Sequence, residues 1–149
     1  MPKGASPYLP MCRYAVEQLH ARGGFLFIEQ GMYGDSWCCY APPEVAARMP
    51  EFLEDAAADL EGQGTRESSR FVAPLTATGD MYRDAAEAAC KAAEARIAFI
   101  LLIEGNRGTA WSMFAPPSVN ALNMAALLRG FAYDLKGEEP VLRNEASIN

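Results

Sequence analysis

Two glutamates at equivalent places in the sequence are the first candidates for chemistry. Glu29 and Glu104 each follow a short apolar run, and each precedes a turn that contains glycine. Two carboxylates that flank a bound sugar can act as general acid and as nucleophile or base, so this pair could form a glycosidase-like site. The alternative is ordinary charge beside a turn.

The four cysteines and the single histidine are the remaining side chains with reactive or metal-binding potential. Cys38 and Cys39 are adjacent, and neighbouring residues of a strand point to opposite faces, so we expect no disulfide between them. Their spacing to Cys12 and Cys90 matches no zinc or redox motif, and one histidine, His20, makes a Cys/His zinc site improbable. The sequence predicts no metal, no cofactor and reduced cysteines, which is typical of a cytoplasmic protein.

No established catalytic motif occurs in the sequence. The segment 105–108 has two glycines but lacks the length and the Lys-Ser/Thr pair of a phosphate-binding loop. Neither a nucleophile elbow nor a paired-histidine zinc motif is present. An enzyme that uses Glu29 and Glu104, or a cysteine, is therefore the third of three functional hypotheses.

A motif that occurs twice surrounds these residues. The pattern Gly-x-x-Gly-x-x-Trp followed by Ala-Pro-Pro stands at residues 31–43 and again at 105–117. The tryptophans, Trp37 and Trp111, are 74 residues apart, and the glycines, alanine and prolines keep the same spacing. The repetition predicts a duplicated unit built around a turn, a strand and a helix start.

The two turns of this motif differ more than the residues around them. Such divergence indicates that one turn specialised or that the turns simply drifted apart. The two tryptophans could pack symmetrically in the core or form a shelf for a ligand. We predict a ligand- or partner-binding site made of seven residues: Tyr33, Asp35, Trp37, Glu104, Asn106, Arg107 and Trp111.

Each copy is predicted to contain a helix, two strands and a second helix. In the first copy these are a helix from Pro10 to about Ala21, strands at 25–28 and 36–40, and a helix from Pro42-Pro43 that bends or restarts at Pro50. In the second copy they are an alanine-rich helix at 81–95, strands at 97–103 and 109–114, and an unbroken helix from Pro116 to about Leu135.

The predicted fold class is α+β. Two hairpins join into one antiparallel four-stranded sheet, and the helices of the duplicated helix–strand–strand–helix units pack on it. We expect a single domain over residues 1–149, with a first repeat at about 10–62, a linker at 63–79, a second repeat at about 80–137 and a loose tail at 138–149. An apolar stretch of the linker, residues 71–75, is expected to dock on the body of the domain.

The net charge of −6 and the isoelectric point near 4.8 limit the classes of partner. An acidic surface repels phosphate and anionic lipid, so we expect neither direct nucleic-acid binding nor membrane binding. No stretch approaches the roughly 18 apolar residues of a membrane span. The first residues do not resemble a signal peptide, which again favours a cytoplasmic protein.

The last predicted helix is apolar on two sides, so it is either enclosed or used against a partner. Its predicted inward stripe consists of Val119, Leu122, Ala126, Leu127, Phe131 and Leu135. A second stripe with helical spacing consists of Ala121, Met124, Ala125, Leu128 and Ala132. We predict a homodimer through this second stripe. The alternative is that the helix at 81–95 covers it within one chain.

These observations leave three hypotheses for the function. The first is a non-enzymatic binding or accessory protein that acts by occupying a partner protein, such as an inhibitor from a phage or another mobile element. The second is a small-molecule binder or sponge that holds its ligand between the hairpin loops or at a dimer seam. The third is the small enzyme described above.

Overall fold

The computed structural model describes residues 6–61, 81–106, 108–116 and 118–136. Its elements are α1 (Leu9–Gln18), β1 (Gly23–Gly31), β2 (Gly34–Tyr40), α2 (Pro43–Ala46), α3 (Met49–Glu61), α4 (Met81–Ala92), β3 (Ile97–Gly105), β4 (Gly108–Phe114) and α5 (Ala121–Lys136). The predicted linker with its apolar stretch, the predicted tail and Arg107 lie outside the described residues, so the expectations about them stay predictions.

The four strands form one antiparallel sheet with the order β2-β1-β3-β4, which confirms the predicted α+β class. The two strands made of continuous apolar runs, β1 and β3, lie in the centre and pair with each other. Their side chains are buried on both faces because helices cover both sides of the sheet. Leu26 stands opposite Ile100 at the middle of this pairing, so each hairpin extends outward from a common centre.

Two tyrosines fasten the two hairpin turns to the helices in the same way. The Tyr8 hydroxyl donates a hydrogen bond to the carbonyl of Gly34, and the Tyr82 hydroxyl donates one to the carbonyl of Gly108, both at 2.7 Å. Tyr8 immediately precedes α1, and Tyr82 is the second residue of α4. The start of each helix is therefore fixed to the hairpin that follows it.

These tyrosines explain why the repeated motif contains glycine at residues 31 and 105. A Cβ atom at Gly31 would lie 2.5 Å from the Tyr8 hydroxyl, and one at Gly105 would lie 2.6 Å from the Tyr82 hydroxyl. A larger residue at either position would displace the tyrosine.

Backbone hydrogen bonds between the two halves also recur with the spacing of 74 residues. Arg22 N–H donates to the Ile103 carbonyl at 2.8 Å, and Arg96 N–H donates to the Glu29 carbonyl at 3.0 Å. Each bond joins the segment after a helix to the central strand of the other half. Such recurring contacts are expected if the chain contains two equivalent units. That the chain arose by duplication stays a prediction.

The helices form one layer on each face of the sheet. On one face α3 and α5 pack against each other and cover side chains that include Phe25, Phe99, Leu101 and Trp111. On the other face α1 and α4 cover side chains that include Leu26, Ile28, Ile100 and Leu102.

Most predicted elements are present, and the differences lie at their ends. The helix after Pro43 stops at Ala46 and restarts at Met49, so the predicted interruption near Pro50 is confirmed. The last helix begins at Ala121 rather than Pro116, because the Asn120 side chain accepts hydrogen bonds from the N–H groups of residues 122 and 123. The helices predicted to end at about residues 21 and 95 end at Gln18 and Ala92.

The predicted inward stripe of the last helix is only partly correct: Leu135 is buried in the core, and Val119 and Phe131 pack against it. Leu122 and Leu127, predicted to face inward, are 61% and 38% exposed. The predicted dimer seam is instead internal to the chain: Met124, Ala125, Leu128 and Ala132 are buried in the core cluster that α3 shares, and Ala121 packs beside it. Side chains covered in this way cannot form an exposed seam, so the interface predicted on this stripe is wrong. The homodimer itself stays a prediction.

Candidate functional site

The predicted turn residues do not come together. Tyr33 and Asp35 lie in the β1–β2 hairpin and Asn106 in the β3–β4 hairpin, and because β1 and β3 are antiparallel the two turns are at opposite ends of the sheet. The carboxylate of Asp35 accepts a hydrogen bond from the Gln30 N–H at 2.6 Å, which stabilises its own turn. A ligand held between the two hairpin loops, as the second hypothesis supposed, is not compatible with this arrangement.

The two candidate carboxylates, like the two turns, lie at opposite ends of the sheet. Glu29 and Glu104 lie at opposite ends of the β1–β3 ladder, roughly 20 Å from each other by the rise of a strand. Glycosidase carboxylates must lie within about 10 Å. Glu29 instead forms an ion pair with Arg96 at 2.9 Å, and Glu104 lies 3.7 Å from the guanidinium of Arg22. A shared active site built on this pair is therefore excluded.

Both tryptophans lie on the face of the sheet that α3 and α5 cover. Trp37 stacks on Phe25 with a centroid distance of 5.6 Å and is half-buried. Trp111 is only 8% exposed, and its indole N–H donates a hydrogen bond to the Asp59 carboxylate at 2.7 Å. Trp111 therefore packs in the core and does not form an exposed shelf for a ligand.

All four cysteines are free and buried. Cys38 and Cys39 are buried in the clusters on opposite faces of the sheet, so their side chains point away from each other. The pKa of Cys12 is raised well above its ordinary value, mainly by a hydrogen bond with the Cys38 thiol and secondly by burial. Burial also raises the pKa of Cys90. A thiol held in its protonated form is a poor nucleophile. Among the described residues no three His, Cys, Asp or Glu side chains converge as a metal site.

An apolar groove with a volume of about 580 Å³ lies between α1 and α4. It is on the side of these helices that faces away from the sheet core. The α1 side is formed by Pro10, Met11, Tyr14, Ala15, Gln18 and Leu19. The α4 side is formed by Met81, Asp84, Ala85, Ala88, Ala89 and Ala92.

The groove has a buried floor and exposed rims. Ala15, Leu19 and Ala89 form the floor and are buried. Tyr14, which is 65% exposed, and Ala88 belong to the rims that open to solvent. The groove is therefore accessible along its length rather than enclosed.

Alanine on α4 is the reason that the groove exists. The positions 11, 14 and 18 of α1 correspond to 85, 88 and 92 of α4 at the spacing of 74 residues. They are Met11, Tyr14 and Gln18 on α1, and alanine at all three places on α4. The α1 side of the groove therefore has long side chains and the α4 side has short ones, so the two helices make few contacts with each other. On the opposite face large residues of both helices fill the corresponding space.

The two ends of the groove differ in polarity. Tyr8 at the start of α1 and Ala93 after the end of α4 both bond to the β1–β2 hairpin, so the helices run antiparallel. Gln18 and Asp84 therefore lie towards the same end, which is polar, while Pro10, at the start of α1, lies towards the other. Among the described residues the Asp84 carboxylate has no ion-pair partner.

The sequence analysis did not identify this site. It singled out the hairpin turns because they differ between the copies. The available signal was the run of alanines on the helix at 81–95. On the outer side of α4 these short side chains leave space next to α1.

Comparisons with known protein families, with curated proteins and with solved structures found no match. None of the helices within the described ranges combines the length and the apolarity that crossing a membrane requires. The function is therefore argued from the groove itself.

Proposed function

We propose that this chain is a non-catalytic binding protein that acts by occupying a partner protein, and that the groove between α1 and α4 receives part of that partner. The observation that carries the proposal is the open apolar groove of about 580 Å³ between α1 and α4. Soluble proteins rarely leave such a surface in water unless something binds there.

The residues around the groove favour binding over catalysis. Among the described lining residues, only Gln18, Asp84 and the Tyr14 hydroxyl are polar. No general base, nucleophile or orienting group accompanies Asp84 among the described lining residues, so the site lacks the neighbouring groups that acid–base or covalent catalysis uses. Occupying a partner needs none of them. An inhibitory role, a cytoplasmic location, a homodimer and an origin in a phage or mobile element stay predictions.

A small-molecule ligand is the second candidate, and the volume of the groove favours it. About 580 Å³ falls within the roughly 300–1,000 Å³ of small-molecule pockets. Such pockets usually enclose most of their ligand, whereas here the rims are exposed along the groove. We therefore rank the protein partner first.

Site-specific photo-crosslinking tests the proposed function. Tyr14 is replaced by benzoylphenylalanine in the full chain, which is expressed in its own cells and irradiated. The matched control carries the same group at Tyr133, which is 78% exposed on α5 on the opposite side of the sheet. We expect a discrete protein adduct from position 14 that disappears when Ala88→Trp fills the groove. Adducts that are equal at both positions, or unaffected by Ala88→Trp, would contradict the proposal.

A further inference from the structure

The dimensions of the groove match a helix of about three turns. The lining residues of α1 run from Pro10 to Leu19 and those of α4 from Met81 to Ala92, which gives a length of roughly 14–17 Å at the rise of an α-helix. Apolar residues at positions i, i+4 and i+7 of another helix span about 10 Å. The groove is therefore long enough for three such side chains in a row.

The shape of the groove also suits the side chains of a helix. Its floor contains the small side chains Ala15 and Ala89, so larger apolar residues can enter between α1 and α4. Met11 and Tyr14 form the higher wall, against which one side of an incoming helix would pack. The exposed rims leave room for the outer, polar side of that helix to remain in water, as helix-in-groove recognition requires.

Charge identifies one further property of the occupant. On the outer surfaces of the same two helices, Glu17 is paired with Arg13 at 3.1 Å and Glu87 with Lys91 at 2.7 Å. Asp84, at the polar end of the groove, has no such partner among the described residues. The whole chain carries a net charge of −6. A cation on the occupant would therefore meet both a local carboxylate and a favourable overall field.

We infer that the groove binds an amphipathic α-helix of a partner protein, with apolar residues at i, i+4 and i+7 facing α1 and α4 and with a lysine or arginine at the end that meets Asp84. This inference rests on the proposed function and specifies the chemistry of the partner.

Three matched peptides test it. Each is a 15-residue helix held by a lactam bridge on its outer side, with leucine at positions 4, 8 and 11. The peptides differ only at the two ends of the side that carries the leucines. Both ends are lysine in the first peptide, glutamine in the second and glutamate in the third. Placing the same residue at both ends makes the test independent of the direction in which the peptide lies. Dissociation constants are measured by fluorescence anisotropy with the full chain.

We expect affinity to fall in the order lysine, glutamine, glutamate. The lysine peptide should bind about two- to fivefold more tightly than the glutamine peptide, the size expected for a solvent-exposed ion pair. Asp84→Asn should reduce this difference, and the part that remains comes from the overall negative charge of the chain. Ala88→Trp should weaken all three peptides at least tenfold. Glu17→Gln is the matched control: it removes a carboxylate of α1 that lies outside the groove lining, so the preference for lysine should persist.

The outcomes separate this inference from the proposed function. If all three peptides bind equally and Ala88→Trp blocks them, the groove binds a helix but the role of Asp84 is wrong. If no peptide binds while position 14 still crosslinks to a protein in a groove-dependent manner, the helical partner is wrong and the proposed function stands. If neither peptides nor a crosslinked protein are found, both fail.

Two other occupants would also overturn the inference. A wild-type dimer in light scattering that Ala88→Trp converts to a monomer would show that the groove binds a second copy of the chain. Tighter peptide binding after Phe71→Ser and Leu75→Ser would show that the chain's own apolar stretch competes for the groove.

Discussion

On one face of the sheet α3 and α5 pack directly against each other, whereas on the other face α1 and α4 leave a groove between them. Both helix pairs cover the same four strands, and both consist of one helix from each half of the chain. The difference lies in side-chain size. Leu53 and Leu60 of α3 and Leu128 of α5 belong to the same buried core cluster, while four alanines line the α4 side of the groove.

This comparison separates a face that stabilises the protein from a face that is free to bind. Substitutions of the buried residues on the closed face should change stability, because their side chains pack in the core. Substitutions on the rims of the open face should change binding and leave stability nearly untouched. The predictions below are all checked by urea unfolding followed by circular dichroism.

The largest effect is expected at the centre of the closed face. Leu128→Ala should lower the free energy of unfolding by about 2–5 kcal/mol, because it leaves a cavity between α3, α5 and the sheet. Leu128→Glu would bury an unpaired carboxylate and should prevent folding. The control is Leu122→Ala on the exposed side of the same helix, where a change within about 0.5 kcal/mol is expected. A stably folded Leu128→Glu protein would place this stripe on the surface after all.

The second prediction compares the two tryptophans. Trp111→Phe should cost about 1–3 kcal/mol more than Trp37→Phe, because only Trp111 donates a hydrogen bond to the buried Asp59 carboxylate. The difference also includes the deeper burial of Trp111, which is 8% exposed whereas Trp37 is half-buried. Equal losses at the two positions would mean that this bond contributes nothing to stability.

The third prediction uses one substitution at two alanines. Ala57→Leu on the fully buried side of α3 should cost about 1–3 kcal/mol, since the core has no room for the added atoms. Ala88→Leu on the rim of the groove should change stability by less than about 0.5 kcal/mol. If Ala88→Leu destabilises as much as Ala57→Leu, the groove is not an open surface.

The smallest effect concerns an exposed ion pair that joins α3 to α5. A hydrogen bond from Arg129 lowers the pKa of Glu61 below its ordinary value of 4.5. A carboxyl whose pKa is lowered by folding stabilises the protein above that ordinary value, and this contribution is lost as the pH falls through the folded pKa. Arg129→Gln should therefore slightly reduce stability at pH 7 and leave it unchanged at pH 2. A loss of equal size at both pH values would point to packing rather than charge.

The sheet could be predicted from the sequence because its signals are local. The apolar runs of β1 and β3, the glycines of the turns and the prolines that open the next segments each act within a few residues. The class of fold followed from joining two such hairpins. The interruption near Pro50 was predictable for the same reason, since proline cannot continue a helical hydrogen-bond pattern.

The orientation of α5 and the groove could not be predicted, because both depend on distant residues. A helix that is apolar on two sides does not indicate which side faces the sheet; here the choice depends on where α3 lies. The groove depends on the distance between two helices that are far apart in the sequence, and a run of alanines is compatible with close packing or with a gap. The hydrogen bond between Trp111 and Asp59 likewise joins residues that no local pattern connects.

The pairing of β1 with β3 also has a consequence for the rate at which the chain folds. The two central strands join residues that are 68 to 80 positions apart, from Glu29 with Ile97 to Gly23 with Ile103. A hairpin alone is only marginally stable in water, so neither half gains much until this distant pairing forms. Folding should therefore be slow compared with that of a helical bundle of similar length, because a large loop must close before the sheet can gain its central contacts.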